Sequence, residues 1–97
     1  MTGRVLVTAR CRRRGHVLGQ LLAVTGTREV VIPHYAVGTA KGSQIVNQRG
    51  PEVAEPLDRS MTYNAMCSCG VHAVHAAVLD DAAATGVTVI TLDPILL

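Results

Sequence analysis

Near the start of the chain, residues alternate between two faces with a period of two, which is the pattern of a half-buried β-strand. Residues 4–10 follow this pattern, and residues 17–25 form a second run rich in valine and leucine. A basic turn at residues 11–15 ends in glycine and separates the two runs, so we predict a β-hairpin with Cys11 near its tip. Residues 28–32 predict a third, shorter strand.

The middle of the chain, residues 38–66, lacks a clear period because glycine and proline interrupt it repeatedly. Within it, residues 44–47 predict a short strand and residues 51–60 predict an exposed loop. A loop of this length without regular structure is uncommon in a compact domain. We therefore expect residues 38–66 to be either a long loop or a segment that contacts a partner.

One helix is predicted in the C-terminal half, over residues 71–85. Valines recur there at helical spacing, alanine fills much of the remainder, and Gly86 stands where a C-terminal cap belongs. Residues 87–92 are β-branched and predict a final strand. The predicted fold class is α+β, with residues 1–97 forming a single domain in which a small antiparallel sheet, built on a β-hairpin, is joined by one helix.

The composition favours a folded core of modest stability. Hydrophobic residues make up 48% of the chain and charged residues 16%, a balance that argues against an intrinsically disordered chain. Tryptophan and phenylalanine are absent, and Tyr35 and Tyr63 are the two aromatic residues, so the core side chains bury less area than aromatic ones would. A 97-residue chain with such a core is expected to need a metal ion, disulfides or a partner surface for further stability.

Charge and targeting signals restrict the location of the protein more than its function. The formal net charge of +2 is too small to indicate nucleic-acid binding by itself. Eight arginines accompany a single lysine, a bias common in high-GC genomes, so we expect an actinobacterial or phage origin. The chain has no visible signal peptide and no apolar run of about 18 residues. These features predict a soluble protein of the cytoplasm, or of the virion if it is phage-encoded, with no membrane span.

The densest group of potential metal ligands lies between Cys67 and His75. Two thiols one residue apart are followed by Gly70 and by two imidazoles, those of His72 and His75. The remaining cysteine, Cys11, stands five residues before another histidine. An odd number of cysteines excludes a complete set of internal disulfides, and thiolate with imidazole is the ligand set that Zn²⁺ prefers. The two segments therefore predict the two halves of one zinc site.

These two ligand-bearing turns resemble the knuckles of a zinc ribbon, in which a hairpin carries Cys-x-x-Cys-Gly and a second knuckle follows far along the chain. Arg14 occupies the position of the second thiol in the first knuckle, and the second knuckle has one spacer residue fewer than usual. The resemblance implies a structural zinc ion that joins the hairpin to the start of the helix. It implies no particular function, because zinc ribbons serve in many processes. The residues that carry it are Cys11, Gly15, Cys67, Cys69 and Gly70.

Three thiolates need one histidine to complete a tetrahedral site, and the sequence leaves three alternatives for it. His16 is expected opposite Cys11 across the hairpin turn. His72 restores a two-residue spacer after Cys69, and His75 shares its predicted helix face. A site built from the second segment alone is a further alternative, as is a chain without metal whose thiols are simply buried. The predicted metal ligands are Cys11, His16, Cys67, Cys69 and His72, of which one histidine completes the set.

A basic tip is predicted at the hairpin turn from Arg10, Arg12, Arg13 and Arg14. Guanidinium groups bind phosphate and carboxylate with two hydrogen bonds, so the tip predicts contact with nucleic acid or with an acidic partner. No aromatic residue stands near it for base stacking, and no basic helix is available for a groove. Nucleic acid is therefore the alternative rather than the preferred partner.

No pattern in the sequence predicts an enzyme. A cysteine–histidine nucleophile would need a third, orienting group, and the glycines match no phosphate-binding spacing. We expect no catalytic residue and no small-molecule substrate. The preferred function is a small metal-stabilised structural or protein-interaction module that binds a protein partner or forms a homo-oligomeric assembly, such as part of a phage virion. The alternative is a nucleic-acid-binding accessory protein that uses the basic tip.

Overall fold

The computed structural model describes residues 3–95, and within them the chain forms nine strands and one helix. The domain is therefore mostly β with one helix, compatible with the predicted α+β class. Over the same residues, no helix combines the length and the hydrophobicity that crossing a bilayer requires. The elements are β1 (Arg4–Cys11), β2 (Val17–Val24), β3 (Thr27–Ile32), β4 (Ala36–Lys41), β5 (Gln44–Arg49), β6 (Val53–Pro56), β7 (Thr62–Cys67), β8 (Gly70–His75), α1 (Ala76–Ala84) and β9 (Val89–Leu92).

Five strands form a central sheet in the order β6-β3-β2-β1-β9. Neighbours are antiparallel except β1 and β9, which pair in parallel from Thr8 opposite Val89 to Cys11 opposite Leu92. Two parallel strands cannot be joined by a tight turn. The chain reaches β9 through α1, which leads from β8 in the covering hairpin back to the central sheet. Because β1 is hydrogen-bonded on both sides, Cys11 at its end is held in a fixed position.

The β7–β8 hairpin and α1 pack against the central sheet and enclose the core. Strand register pairs Ala65 with His72, so both side chains lie on the buried face of the hairpin. Gly19 in β2 leaves room for the Ile32 side chain in the core, because a Cβ there would lie 2.7 Å from Ile32 Cδ1. The largest fully buried side chains are those of Leu18, Leu21, Ile32, Leu79, His72, Val7, Val30, Val74 and Cys11.

The helix predicted over residues 71–85 is wrong at its start. α1 begins at Ala76, and Gly70–His75 form β8, which six register pairs join to β7. Valine fits a pleated strand at least as well as a helix, so the pairing with β7 decides the local structure. The predicted end is close to the observed one, since Gly86 adopts a φ of +80° just after the helix.

Residues 36–49 form a projecting hairpin of β4 and β5, here called the arm, where a loop was predicted. Six register pairs join its strands, and Gly42 at φ +65° makes the tight turn. The loop predicted over residues 38–66 is therefore wrong for most of its length, since β6 and β7 also begin within it. The strand predicted at residues 44–47 is confirmed within β5. The contact of this segment with a partner stays a prediction.

Leu79→Ala is expected to lower the free energy of unfolding by about 2–5 kcal/mol, because Leu79 is fully buried beneath α1. Its neighbour Val78 is 44% exposed, so Val78→Ala is the matched control and should change that free energy by about 0.5 kcal/mol or less. Urea denaturation followed by circular dichroism measures both values. Equal losses in the two variants would show that α1 does not pack through Leu79.

Candidate metal centre

The first half of the centre is the turn between β1 and β2. The Cys11 amide donates a hydrogen bond to the His16 carbonyl at 2.9 Å, and the Gly15 amide donates to the Cys11 carbonyl at 2.8 Å. Gly15 has a φ of +70°, a conformation that glycine adopts without steric penalty. These bonds close the turn tightly and place the side chains of Cys11 and His16 next to each other.

The second half is the turn between β7 and β8. Cys67 ends β7 and pairs with Gly70 at the start of β8, and Gly70 has a φ of +127°. The amide of Cys69 donates a hydrogen bond to the sulfur of Cys67 at 3.3 Å. An amide aimed at sulfur favours the thiolate, which is the form that binds a metal.

The two turns bring four ligand atoms together. One sulfur each from Cys11, Cys67 and Cys69 and one ring nitrogen of His16 all lie within 4.8 Å of one another. Ligand atoms around a tetrahedral zinc ion lie about 3.5–4 Å apart, because the Zn–S and Zn–N bonds are about 2.3 and 2.0 Å long. The cluster therefore needs only a small contraction to hold an ion.

Burial divides the four residues into an inner and an outer pair. Cys11 and Cys67 are buried, whereas Cys69 and His16 are partly exposed at the surface. The buried Nδ1 of His16 has no hydrogen-bond partner among residues 3–95. A buried nitrogen without a partner is unfavourable, and a bound cation would satisfy either this nitrogen or, through a change of ring orientation, its neighbour.

The two buried thiols differ in acidity. Burial by itself raises the pKa of the Cys11 thiol. Hydrogen bonds from the backbone amides of Arg14 and Arg13, and from the thiols of Cys69 and Cys67, outweigh this effect, so the pKa of Cys11 lies below its ordinary value. Burial raises the pKa of Cys67, and its contact with Cys11 adds to the effect. Cys11 is therefore the more acidic of the two, and Cys67 would give up its proton if a cation supplied the compensating charge.

His72 lies in the core beside this centre and is not one of the four clustered ligands. Its side chain is fully buried, and neither ring nitrogen has a hydrogen-bond partner within the described part of the chain. Cys67 pairs with Gly70, and His72 lies two residues further along β8, so both side chains lie on the same face of the hairpin. Burial lowers the pKa of His72, so the imidazole is neutral at neutral pH.

His75 and the predicted arginines are not part of the ligand cluster. His75 is exposed, and its Nδ1 forms a hydrogen bond with the Thr62 hydroxyl at 2.9 Å. Arg10 donates to the Gly15 carbonyl, and Arg12 donates to Asp93, each at 2.9 Å. The ion pair between Asp93 and Arg12 was not predicted, because the parallel pairing of β9 with β1 has no local sequence signal.

Comparison of the chain with protein-family models, with curated proteins and with solved structures finds no match. The resemblance to a zinc ribbon and the actinobacterial or phage origin thus stay predictions. The cluster itself is an observation of the fold.

The buried imidazole of His72 generates a prediction about pH. Its folded-state pKa lies below the unfolded value of about 6.5, so the unfolded state binds more protons as the pH falls through that window. The stabilising effect of the neutral imidazole is present above this value and is lost below it. Between about pH 7.5 and 5.5, we expect the free energy of unfolding, measured with urea, to fall more steeply for the wild type than for His72→Gln.

His75→Gln is the control for this measurement, because His75 is exposed, and its slope should equal that of the wild type. Protonation of other groups affects all three proteins, so the difference in slope isolates His72. Parallel slopes for the wild type and His72→Gln would contradict the prediction.

Proposed function

We propose that this protein is a small structural module, closed by a zinc ion, that acts through protein interaction. The observation that carries the proposal is the cluster of three thiols and one imidazole drawn from two turns. All three thiols are free, and an odd number of thiols gathered at one point suits a metal ion better than disulfides.

Zinc is the ion that best suits these donors. It is a borderline-soft ion that binds thiolate and imidazole in a tetrahedron and takes no part in redox chemistry. Four protein ligands fill the coordination shell and leave no position for a water molecule, which is the arrangement of structural sites rather than catalytic ones. We therefore propose a structural ion and no enzymatic activity.

The ion would connect two layers of the fold that are otherwise held by side-chain packing and by hydrogen bonds such as that from the Tyr63 hydroxyl to Glu55. The turn at residues 11–16 belongs to the central sheet, and the turn at residues 67–70 belongs to the hairpin that covers it. Apparent binding free energies of structural zinc in small peptides are about 10 kcal/mol or more, as large as the whole stability of many domains. A core without tryptophan or phenylalanine makes such a contribution decisive for folding.

The arm supports the part of the proposal that concerns protein interaction. Register places Val37 and Val46 on one of its faces and Ala40 and Ile45 on the other, and Ile45 is 70% exposed. An isolated two-stranded hairpin is at best marginally stable in water. A protein surface that covers these side chains would stabilise the arm.

A second copy of the chain is the occupant that we propose for the arm. The arm carries Lys41 and Arg49 and no acidic residue. Glu52, Glu55 and Asp58 lie in and beside β6, the strand at one edge of the central sheet. Complementary charges on two different surfaces favour head-to-tail association. An assembly of many copies, as in a virion, is the setting that this arrangement implies.

The metal proposal predicts one zinc ion per chain in the purified protein, measured by inductively coupled plasma mass spectrometry. Removal of the ion with a chelator should unfold the domain, as followed by circular dichroism, because metal binding and folding are coupled. Cys69→Ser and His16→Gln should each bind zinc at least tenfold more weakly, since each removes one ligand. Substitution with Co²⁺ should give thiolate charge-transfer bands, which report the number of bound sulfurs.

Ser68→Ala and His75→Gln are the matched controls for this experiment: Ser68 lies between two proposed ligands in sequence, His75 is an exposed imidazole, and neither belongs to the cluster. Both should keep the zinc of the wild type. A metal-free protein that unfolds like the zinc-bound one would contradict a structural ion. Retention of zinc by His16→Gln, with its loss from His72→Gln, would move the fourth ligand to His72.

The arm predicts self-association that depends on its apolar side chains. Ile45→Thr should weaken association by about tenfold, measured by sedimentation velocity over a series of concentrations. Val5→Thr, at a side chain 46% exposed on the central sheet, is the control and should associate like the wild type. A wild-type protein that stays monomeric throughout the series would exclude a second copy as the occupant.

A further inference from the structure

The four arginines of the basic tip fall into two pairs with different surroundings. Arg10 and Arg12 are engaged within the chain, by the Gly15 carbonyl and by Asp93. Arg13 and Arg14 are exposed at the outer end of the turn, and their guanidinium groups form no hydrogen bond or ion pair with residues 3–95. The tip therefore presents two free cations rather than four.

These two free arginines line a surface depression together with the second turn of the metal centre. The other residues of its wall are Ser68 and Cys69. Ser68 is exposed, so its hydroxyl is available as a hydrogen-bond donor. Two exposed arginines and one exposed serine thus lie around one concave position, and the tight turns on both sides limit how far the backbone beneath them can move.

We propose that this depression is an oxyanion-binding site that takes the carboxylates of an acidic peptide segment on a protein partner. The inference deepens the proposed function and rests on it, because it names the chemistry of one partner of the interaction module. Arg13 and Arg14 each offer a planar pair of N–H donors that matches a carboxylate. The hydroxyl of Ser68 supplies a further donor at the rim.

The charge of a metal centre does not cancel this site. A zinc ion with three thiolates and a neutral imidazole carries a net charge of about −1, and Cys69 borders the depression. Arg12 and Asp93 neutralise each other in their ion pair, which leaves three arginines near that single negative charge. The tip therefore keeps an excess of positive charge with which to attract an acidic ligand.

The number of free cations favours a peptide over nucleic acid. Proteins that rely on phosphate contacts use several of them, and the affinity falls steeply with salt. Two guanidinium groups satisfy two carboxylates of a short acidic segment but contact little of a nucleic-acid backbone. No aromatic ring lines the depression for base stacking. Tyr63 does not supply one, because it is buried and its hydroxyl donates a hydrogen bond to Glu55.

The test uses the full-length, zinc-loaded chain and fluorescein-labelled hexaglutamate as the probe, with fluorescence anisotropy at about 50 mM salt. Arg13→Gln combined with Arg14→Gln should weaken binding by about tenfold. Arg13→Lys with Arg14→Lys should recover only part of the affinity, because lysine keeps the charge but lacks the planar pair of donors. A single-stranded DNA oligonucleotide of matched length should bind more weakly than the peptide.

The matched control is Arg4→Gln combined with Arg28→Gln, which removes the same formal charge from the opposite end of the central sheet and should change the affinity by less than about twofold. Zinc content and circular dichroism are measured on every variant, so a loss of fold is distinguished from a loss of the site.

Absence of hexaglutamate binding by the wild type, or an equal loss in the control, would overturn the proposal. Tighter binding of DNA that depends on the two arginines would assign the depression to nucleic acid instead. Arginine-dependent peptide binding by a protein without zinc would uphold this site while refuting the metal proposal.

Discussion

Cys11 and Cys67 can contribute to one cluster only because two turns far apart in the sequence meet at the same end of the core. β1 delivers Cys11 between two hydrogen-bonded neighbours, β2 and β9, and β7 delivers Cys67 from the hairpin packed above the sheet. Each strand ends at its cysteine. The register of both hairpins must therefore be correct before the ligands converge, since a shift of one residue would turn each thiol to the opposite face.

The parts of the site that the sequence predicts are those with local signals. The β1–β2 hairpin follows from alternation and a basic, glycine-terminated turn, and the cysteines with their glycines indicate a metal. The pairing of β9 with β1 has no local signal, because a parallel partner is chosen by the crossover and the packing of the core. The arm was predicted only in part, as a strand at residues 44–47, because strands exposed on both faces show no alternation of apolar and polar residues.

The error in the helix start explains why the fourth ligand could not be chosen from the sequence. Residues three apart share a face in a helix but lie on opposite faces in a strand, so a helix would present His72 and His75 together. In β8 the first is buried and the second is exposed, which separates them and excludes a joint site. His16 depends instead on the closure of the β1–β2 turn, where the hydrogen bond between Cys11 and His16 fixes their proximity.

The candidate metal centre reaches from the buried core to the surface depression at the basic tip. Cys11 and Cys67 are buried, whereas Cys69 and His16 reach the surface, where Cys69 shares a depression with Arg13 and Arg14. The backbone amides of the same two arginines face the sulfur of Cys11. An ion in the cluster would hold these amides in place from within while their guanidinium groups point outward. Rigidity at a binding surface reduces the entropy lost on association, so a structural metal at this position would also preorganise the basic tip for an acidic partner.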